Sequence, residues 1–286
     1  MKLWELDNLS RRLSVIPILQ GTELLNLVDS REVWDLSTIE RLPRDLMSAY
    51  QLALDLGSIR LSRGEKLIGA KIGFTNRAVW PKLNISAPIW GSVWDSTFFR
   101  LSSNGVSAAR ISSLCQPRIE PEIVFRLKAP VCASMSRQEI FECIETIAPA
   151  FEIVQCHSVD WKLSAELGVT DVGLHGQLWV GEEFPLRALS PSLYDLEHNL
   201  SSASVYMSCN EEESYSGYGS NVMENPFNSL CEFLSILEVY GVELPLSNGF
   251  LISTGSWTEA PKIDLGEEWR AYFSIFDRSI KLSMTG

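Results

Sequence analysis

The sequence predicts an α+β fold in which a helical N-terminal portion, residues 1–64, packs on a β-rich mixed-sheet body, residues 65–286. Three observations carry this expectation. Apolar residues keep helical spacing up to about residue 60. From Leu67 onward the texture changes to short runs of Ile, Val, Phe and Trp separated by Gly, Pro, Asn and Ser, the pattern of strands and turns. Only two helical patterns interrupt those runs, and no stretch has the composition of a flexible linker, so the two portions are expected to form one compact unit. A chain of 286 residues is long enough to bury a sizeable core.

The helical portion ends in a segment opened by Pro43, with Leu46, Met47, Tyr50, Ala53 and Leu54 at helical spacing; Gly57 and Gly64 mark its end and the turn beyond. A strand bounded by Gly69 and Gly73 follows in "IGAKIGFTNRAVW". In "QPRIEPEIVFRL" Ile119, Pro121, Ile123 and Phe125 alternate with polar residues, which marks a packed strand. Ser136 and Glu139 form a capping box, after which Ile140, Ile144 and Ile147 line one face of a helix leading into the strand around Glu152. Asn225-Pro226 starts the other helix, with Phe227, Leu230, Leu234 and Leu237 as its buried stripe and Gly241 at its end. The polar run "NEEESYSGYGSN" reads as a tight hairpin or a mobile loop.

Composition excludes several classes of function. The net charge is −12 and the basic residues are scattered, which is incompatible with a phosphate-backbone partner, so no nucleic acid is expected. No stretch approaches the roughly 18 apolar residues of a membrane span. Charges at Lys2, Glu5, Asp7, Arg11 and Arg12 interrupt any apolar region of a secretory signal, and the expected location is cytoplasmic. The cysteines at 115, 132, 143, 156, 209 and 231 show no C-x-x-C and read as reduced packing residues.

The candidate chemistry centres on three glutamates. Glu120 and Glu122 are two apart on one strand, which aims both carboxylates at one spot about 6–7 Å long. Glu152 lies among Ala150, Phe151, Ile153 and Val154, where an unpaired carboxylate would cost several kcal/mol to bury. A shared divalent cation relieves both problems, and three carboxylates suit Mg²⁺ or Mn²⁺, hard ions that prefer oxygen. The alternative, a solvated E-x-E pair on a strand surface, stays open at this level. Lys71 between two glycines is either close to a ligand or an edge lysine reaching water; Lys162 reads first as a solvated lysine. His157 and His175 are suited to proton transfer, or to a core role satisfied by a carbonyl. The run "LISTGS" could present Thr254 and backbone N–H groups to a carboxylate, though such strand ends are common. Trp80, Trp90, Trp94, Trp161 and Trp179 fall near these segments and fit an apolar substrate tail or, more ordinarily, core packing.

Taken together, these segments resemble the 2-keto-4-pentenoate hydratase group of the fumarylacetoacetate hydrolase superfamily, which also contains 4-oxalocrotonate decarboxylases and acylpyruvate hydrolases. "AKIGFT" is similar to the family's K-I-G-x-T segment, "QPRIEPEIVF" to its metal-binding E-x-E strand and "PAFEIV" to its third metal ligand. "SGYGSNVMENPFNSL" is similar to its G-x-G hairpin and helix signature, and "ISTGS" to its substrate-carboxylate turn. The similarity runs from about Ala49 to the C-terminus. It implies the superfamily's β-rich mixed-sheet roll of the C-terminal-domain type with a helical N-terminal cap, in homodimers or larger homo-oligomers. It also implies Mg²⁺ or Mn²⁺ on Glu120, Glu122 and Glu152, with Lys71 positioning or polarising a 2-oxo acid, and Lys162, Thr254 and Gly255 on the substrate side.

The departures concern proton transfer. Hydratases of the family carry an aspartate in a P-D-[FW]-G segment, where this chain reads "PIWG" with Ile89. Asp171 to Gly176 replaces a D-N-A-S segment, and His157 stands in place of an arginine. His175, with His157, is therefore expected to take over acid/base work. The expected activity is hydration of a 2-hydroxypenta-2,4-dienoate-like compound to a 4-hydroxy-2-oxo acid. The alternatives are a 2-oxo-enedioate decarboxylase, then an acylpyruvate hydrolase, then a non-catalytic member of the family.

Overall fold

The computed structural model describes residues 18–102 and 107–286. The readings made of residues 1–17, helical character and the interrupted signal, lie outside the described residues. Three helices come first: α1 (Gly21–Ser30), α2 (Leu36–Glu40) and α3 (Leu46–Ser62). Asp45, and not Pro43, caps α3, its carboxylate accepting from the Ser48 N–H. Gly57 does not end that helix. It lies inside it, where the Trp94 ring passes within 3.5 Å of the place a Cβ would take, and the chain turns only at Gly64, with φ +90°.

An eight-stranded mixed sheet follows, assembled from β1 (Leu67–Gly73), β2 (Ile89–Trp94), β3 (Phe98–Arg100), β5 (Arg118–Leu127), β6 (Ile144–Val154), β7 (His175–Val180), β8 (Phe184–Pro185) and β11 (Leu251–Ser253). Its main path runs β2-β1-β11-β5-β6-β7-β3, with β8 on β6. A five-stranded sheet of order β10-β9-β12-β13-β4 packs beside it, from β4 (Ala108–Arg110), β9 (Ser204–Cys209), β10 (Glu213–Tyr218), β12 (Glu268–Phe273) and β13 (Arg278–Thr285). Parallel pairs β1·β11, β3·β7 and β13·β4 stand among antiparallel ones, as a mixed-sheet α+β fold requires. The polar run near residue 210 is a tight β9–β10 hairpin, with Asn210 and Glu211 at positive φ.

The remaining helices are α4 (Trp80–Leu83), α5 (Arg137–Glu142), α6 (Ala165–Thr170), α7 (Leu186–Leu189), α8 (Leu193–Ser202) and α9 (Pro226–Val239). The capping box on α5 forms as expected, Ser136 and Glu139 each bonding the other's backbone. That helix stops at Cys143, however, so Ile144 and Ile147 belong to β6 and pair with Leu127 and Phe125 of β5. β-Branched residues pack well on a pleated surface, and a long antiparallel partner was available there. α9 keeps its expected stripe, with Phe227, Leu230, Leu234 and Leu237 buried, and Gly241 follows it at φ +62°.

The main core fills the space between the two sheets and α9. Ile119, Ile123, Phe125, Phe151 and Ile153, all fully buried, enter it from one face of the large sheet, each contributing about 1.5–3 kcal/mol. The helical portion has a smaller core of Leu24, Leu25, Val28, Trp34, Leu52 and Leu56 that takes in Leu167 of α6. Tyr50 of α3 stacks on Trp90 of β2, ring centroids 5.4 Å apart, joining the helical portion to the sheet. None of the six cysteines is in a disulfide, and Cys115, Cys143, Cys156 and Cys209 are buried. Among the described residues no helix is long and apolar enough to cross a membrane.

Candidate metal centre

The opposite face of the large sheet carries the glutamates. The β5–β6 register places Glu120 directly across from Glu152, with Glu122 two residues along on the same face. One oxygen from each of the three carboxylates lies within 4.8 Å of the others. Glu122 and Glu152 are fully buried, and Glu120 is the half-buried member that reaches the surface.

Each buried carboxylate is held by one oxygen. Glu122 Oε2 accepts from the Ser253 hydroxyl and, at 3.1 Å, from the Gly255 N–H, both at the end of β11. Glu152 Oε1 faces His175 Nδ1 at 2.8 Å. A β-bulge between Ile153 and Val154 shifts the β6–β7 register and turns the His175 ring onto the Glu152 side. The other oxygens are not satisfied. Glu122 Oε1 is buried with no hydrogen-bond partner, and Glu152 Oε2, 3.2 Å from Lys71 Nζ, accepts no well-formed bond.

Lys71 is no edge lysine. β1 lies between β2 and β11, and the side chain is 2% exposed, its Nζ donating at 3.0 Å to the Gly173 carbonyl. Burial favours loss of its proton, but the charges of Glu152, Glu120 and Glu122 outweigh this and raise its pKa. Burial pushes Glu120 up to about 8, against the pull of Lys71, and pushes Glu122 up to about 8 with the added repulsion of Glu152. Glu152 is raised by burial as well. His175 is driven down to about 3 by burial and by the Lys71 and Arg60 charges, and is therefore a neutral ring. Its Nδ1 faces Glu152 Oε1 at 2.8 Å, and its Nε2 lies 2.9 Å from the Thr97 hydroxyl, which also reaches the Trp94 carbonyl at 3.1 Å.

Ionised together, three carboxylates would outweigh one ammonium and a neutral imidazole; burial instead favours their protonated forms, and a divalent cation would take the place of those protons. The unpartnered buried oxygens of Glu122 and Glu152 and the all-oxygen donor set fit Mg²⁺ or Mn²⁺.

The other candidate residues fall in three places. Gly255 lies at the cluster through its N–H, whereas the Thr254 hydroxyl is already committed to the Ile123 carbonyl at 2.9 Å. His157 is fully buried, its Nδ1 2.7 Å from Asp171 Oδ1. Lys162 is exposed on the turn after β6, and its carbonyl accepts from the Ser158 hydroxyl. The sequence reading missed Ser253 and Thr97. Ser253 lies in the run singled out for Thr254, and its partner Glu122 is 131 residues away, beyond any local signal. Of the tryptophans, Trp90, Trp94 and Trp179 are buried packing residues, and Trp161 lies under the Arg118 guanidinium at 4.7 Å.

The mixed-sheet architecture with a buried E-x-E cluster defines a protein of the fumarylacetoacetate hydrolase fold. The solved 4-oxalocrotonate decarboxylase from Pseudomonas putida G7, complexed with magnesium and adipate, shares that fold at TM-score 0.80 and 20% identity, covering 94% of this chain and 99% of that one. No protein-family model matches the chain. In sequence it is 31% identical over 209 residues to the 2-hydroxyhexa-2,4-dienoate hydratase of Comamonas testosteroni, 73% of this chain and 75% of that protein. It is 27% identical over 223 residues to the 2-hydroxypent-2,4-dienoate hydratase of Pseudomonas putida, 78% of this chain and 96% of that protein. The chain belongs to the 2-keto-4-pentenoate hydratase and 4-oxalocrotonate decarboxylase group of the fumarylacetoacetate hydrolase superfamily.

Proposed function

We propose that this protein is a Mg²⁺- or Mn²⁺-dependent lyase that adds water to a 2-hydroxypenta-2,4-dienoate-like acid, giving a 4-hydroxy-2-oxo acid. The observation that carries the reading is the set Glu120, Glu122 and Glu152, with buried carboxylate oxygens lacking partners beside the Lys71 ammonium. Bound there, a divalent ion would supply a Lewis acid for the carboxylate and keto oxygens of a 2-oxo acid.

The chain's own residues divide the remaining work. Lys71 donates to the Gly173 carbonyl and faces Glu152 Oε2 at 3.2 Å as a charge pair, which leaves N–H donors for a substrate oxygen. In an acidic protein this ammonium and the cation together reverse the local sign, so an anionic substrate is attracted. Ser253 and the Gly255 N–H fix Glu122, and His175 fixes Glu152. Both His175 nitrogens are engaged, so its first role is to orient Glu152; a proton can move through it only by exchange of the Thr97 bond. Glu120, half-buried, is the least enclosed of the three carboxylates.

Ile89 favours a second reading. Its side chain lies with Lys71 Nζ around Gly73, each about 3.4 Å from the position of a Gly73 Cβ, so an apolar wall stands where family hydratases carry a carboxylate. A 2-oxo-enedioate decarboxylase needs no water-activating base at that point. The acidic surface and the family resemblance support a small-molecule substrate, a homodimer or larger homo-oligomer, and a cytoplasmic location without nucleic-acid or membrane partners.

Calorimetric titration with Mg²⁺ and Mn²⁺, followed by a screen of 2-oxo acids monitored for dienol absorbance and released CO₂, tests the proposal. Saturable metal binding with loss of dienol absorbance is expected; CO₂ release would establish the decarboxylase instead. Absence of metal binding would sink both.

A further inference from the structure

Between α6 and β7 the chain makes a turn that its residues resist. Val172, Gly173 and Leu174 have φ of 48°, 72° and 63°, three left-handed residues in succession, one of them β-branched. Each non-glycine there costs about 1–2 kcal/mol. The turn carries two contacts of the site: the Gly173 carbonyl takes Lys71 Nζ at 3.0 Å, and His175 follows directly. It is also pressed against β2, for a Cβ on Gly173 would come within 2.7 Å of Gly91 Cα.

Asp171 opens this turn and is fully buried. Both of its carboxylate oxygens hold one residue: Oδ2 accepts the His157 N–H at 2.8 Å, and Oδ1 the His157 Nδ1–H at 2.7 Å. Its backbone is tied on both sides, N–H to Leu167 O and C=O to the Leu174 N–H, each at 2.7 Å. His157 is gripped in turn by Trp34 of the helical portion. The two rings stack at 5.1 Å and 14°, and the Trp34 backbone N–H donates to the His157 carbonyl at 2.7 Å. None of these three residues touches the carboxylate cluster in the contacts described above.

We propose that Asp171, clasped by His157 and Trp34, is a positioning residue that holds the left-handed turn in the form that sets Lys71 and His175 against Glu152. The clasp makes the helical N-terminal portion part of the active unit. Strain of this kind persists only where surrounding contacts over-determine it, and a buried carboxylate with two donors on one neighbour is such a contact. The kinetic part of the test rests on the lyase reading; the spectroscopic part does not.

The test uses the full chain with Mn²⁺ for calorimetry and Mg²⁺ for NMR and turnover. In Asp171→Ala the imidazole ¹H–¹⁵N signals of His175 should move, because its Glu152 bond depends on the turn. kcat should fall by about 10²-fold with KM nearly unchanged, the signature of misplaced groups rather than lost binding. Asp171→Asn, which can still accept from the His157 N–H, should recover most of the loss, and Trp34→Leu, which keeps apolar volume, should show a smaller fall of the same kind. The proposal is overturned if folded Asp171→Ala keeps the wild-type His175 signals and turnover. Should that variant not fold, wild-type His175 signals in both Asp171→Asn and Trp34→Leu, with equal turnover in the two, overturn it as well. If the wild type turns over no 2-oxo acid, the lyase reading falls while the His175 comparison still decides the clasp.

Discussion

The face of the large sheet that carries the glutamates has a charged cluster at each end, and the two ends obey different rules. On β5 the side chains of this face run Glu120, Glu122, Val124, Arg126, and across from them β6 presents Glu152, Ala150, Ala148 and Thr146. Val124, Ala148, Ala150, Leu178 and Val180 form an apolar middle. At the far end Arg126 grips Glu183 with a two-pronged fork, both bonds 2.6 Å, and gives its third donor to the Gly249 carbonyl at 3.0 Å. Thr146 and Arg100 complete the same carboxylate. Nothing there is left over. About 13 Å away along the strand, the glutamate end holds three carboxylates against one lysine, with buried oxygens that have no partner. A partly exposed cluster whose charges and hydrogen bonds close on themselves stabilises the fold; one left open where Glu122 and Glu152 are fully buried costs stability and is poised for a ligand.

The largest expected effect breaks this contrast at the open end. Glu122→Gln keeps a carbonyl oxygen for Ser253 and the Gly255 N–H but removes a carboxyl that burial and Glu152 hold above its ordinary pKa. Metal affinity should fall by at least about 10²-fold, more than removal of an outer partner of a metal ligand costs. The metal-free protein should become more stable by about 1–2 kcal/mol, since folding no longer has to bury a carboxyl that ionises freely in the unfolded chain. Calorimetry and urea unfolding in chelator read the two together. A variant that loses stability without metal would show that the open end is a closed structural network after all.

At the closed end the signs reverse. Arg126→Met removes the fork and the donor to Gly249, leaving Glu183 to Arg100 and Thr146 at the edge of the sheet. The expected loss is about 2–3 kcal/mol in urea unfolding. Metal affinity should change far less than in Glu122→Gln, because Arg126 bonds none of the three glutamates and lies about 13 Å from them along the strand.

The same contrast explains how much could be read in advance. Glu120, Glu122 and Glu152 were legible because a carboxylate at period two on a packed strand, or inside an apolar run, is locally incongruous. The capping box of α5 and the stripe of α9 were legible for the same local reason. Ile144 and Ile147 were misplaced because apolar residues three apart fit a helix as readily as a strand until the β5 partner is known. Lys71 and Gly173, 102 residues apart, and Ser253 and Glu122, 131 apart, meet only through sheet order. The His157–Asp171 bond joins a histidine singled out for proton transfer to a residue that the sequence marks only within a segment departing from the family pattern. Partners of this kind are set by topology, which no local periodicity encodes.

The smallest expected effect is a pH dependence confined to the closed end. Burial opposes ionisation of Glu183, but its hydrogen bonds from Arg126, Thr146 and Arg100 outweigh this and bring its pKa to about 2. An unfolded glutamate titrates near 4.3. The folded value is the lower, so the stabilisation is fully present above the unfolded value and is lost as pH falls through about 4 toward 2. Its size is about 1–2 kcal/mol, less than the shift alone would give, because Arg100 is half exposed and water screens its share. The gap in unfolding free energy between the wild type and Glu183→Gln should therefore stay constant from pH 7 down to about 5 and narrow below that. A gap that instead widens on acidification would mean that Glu183 is held against its charge, like the glutamates at the open end, and the distinction between the two ends would fail.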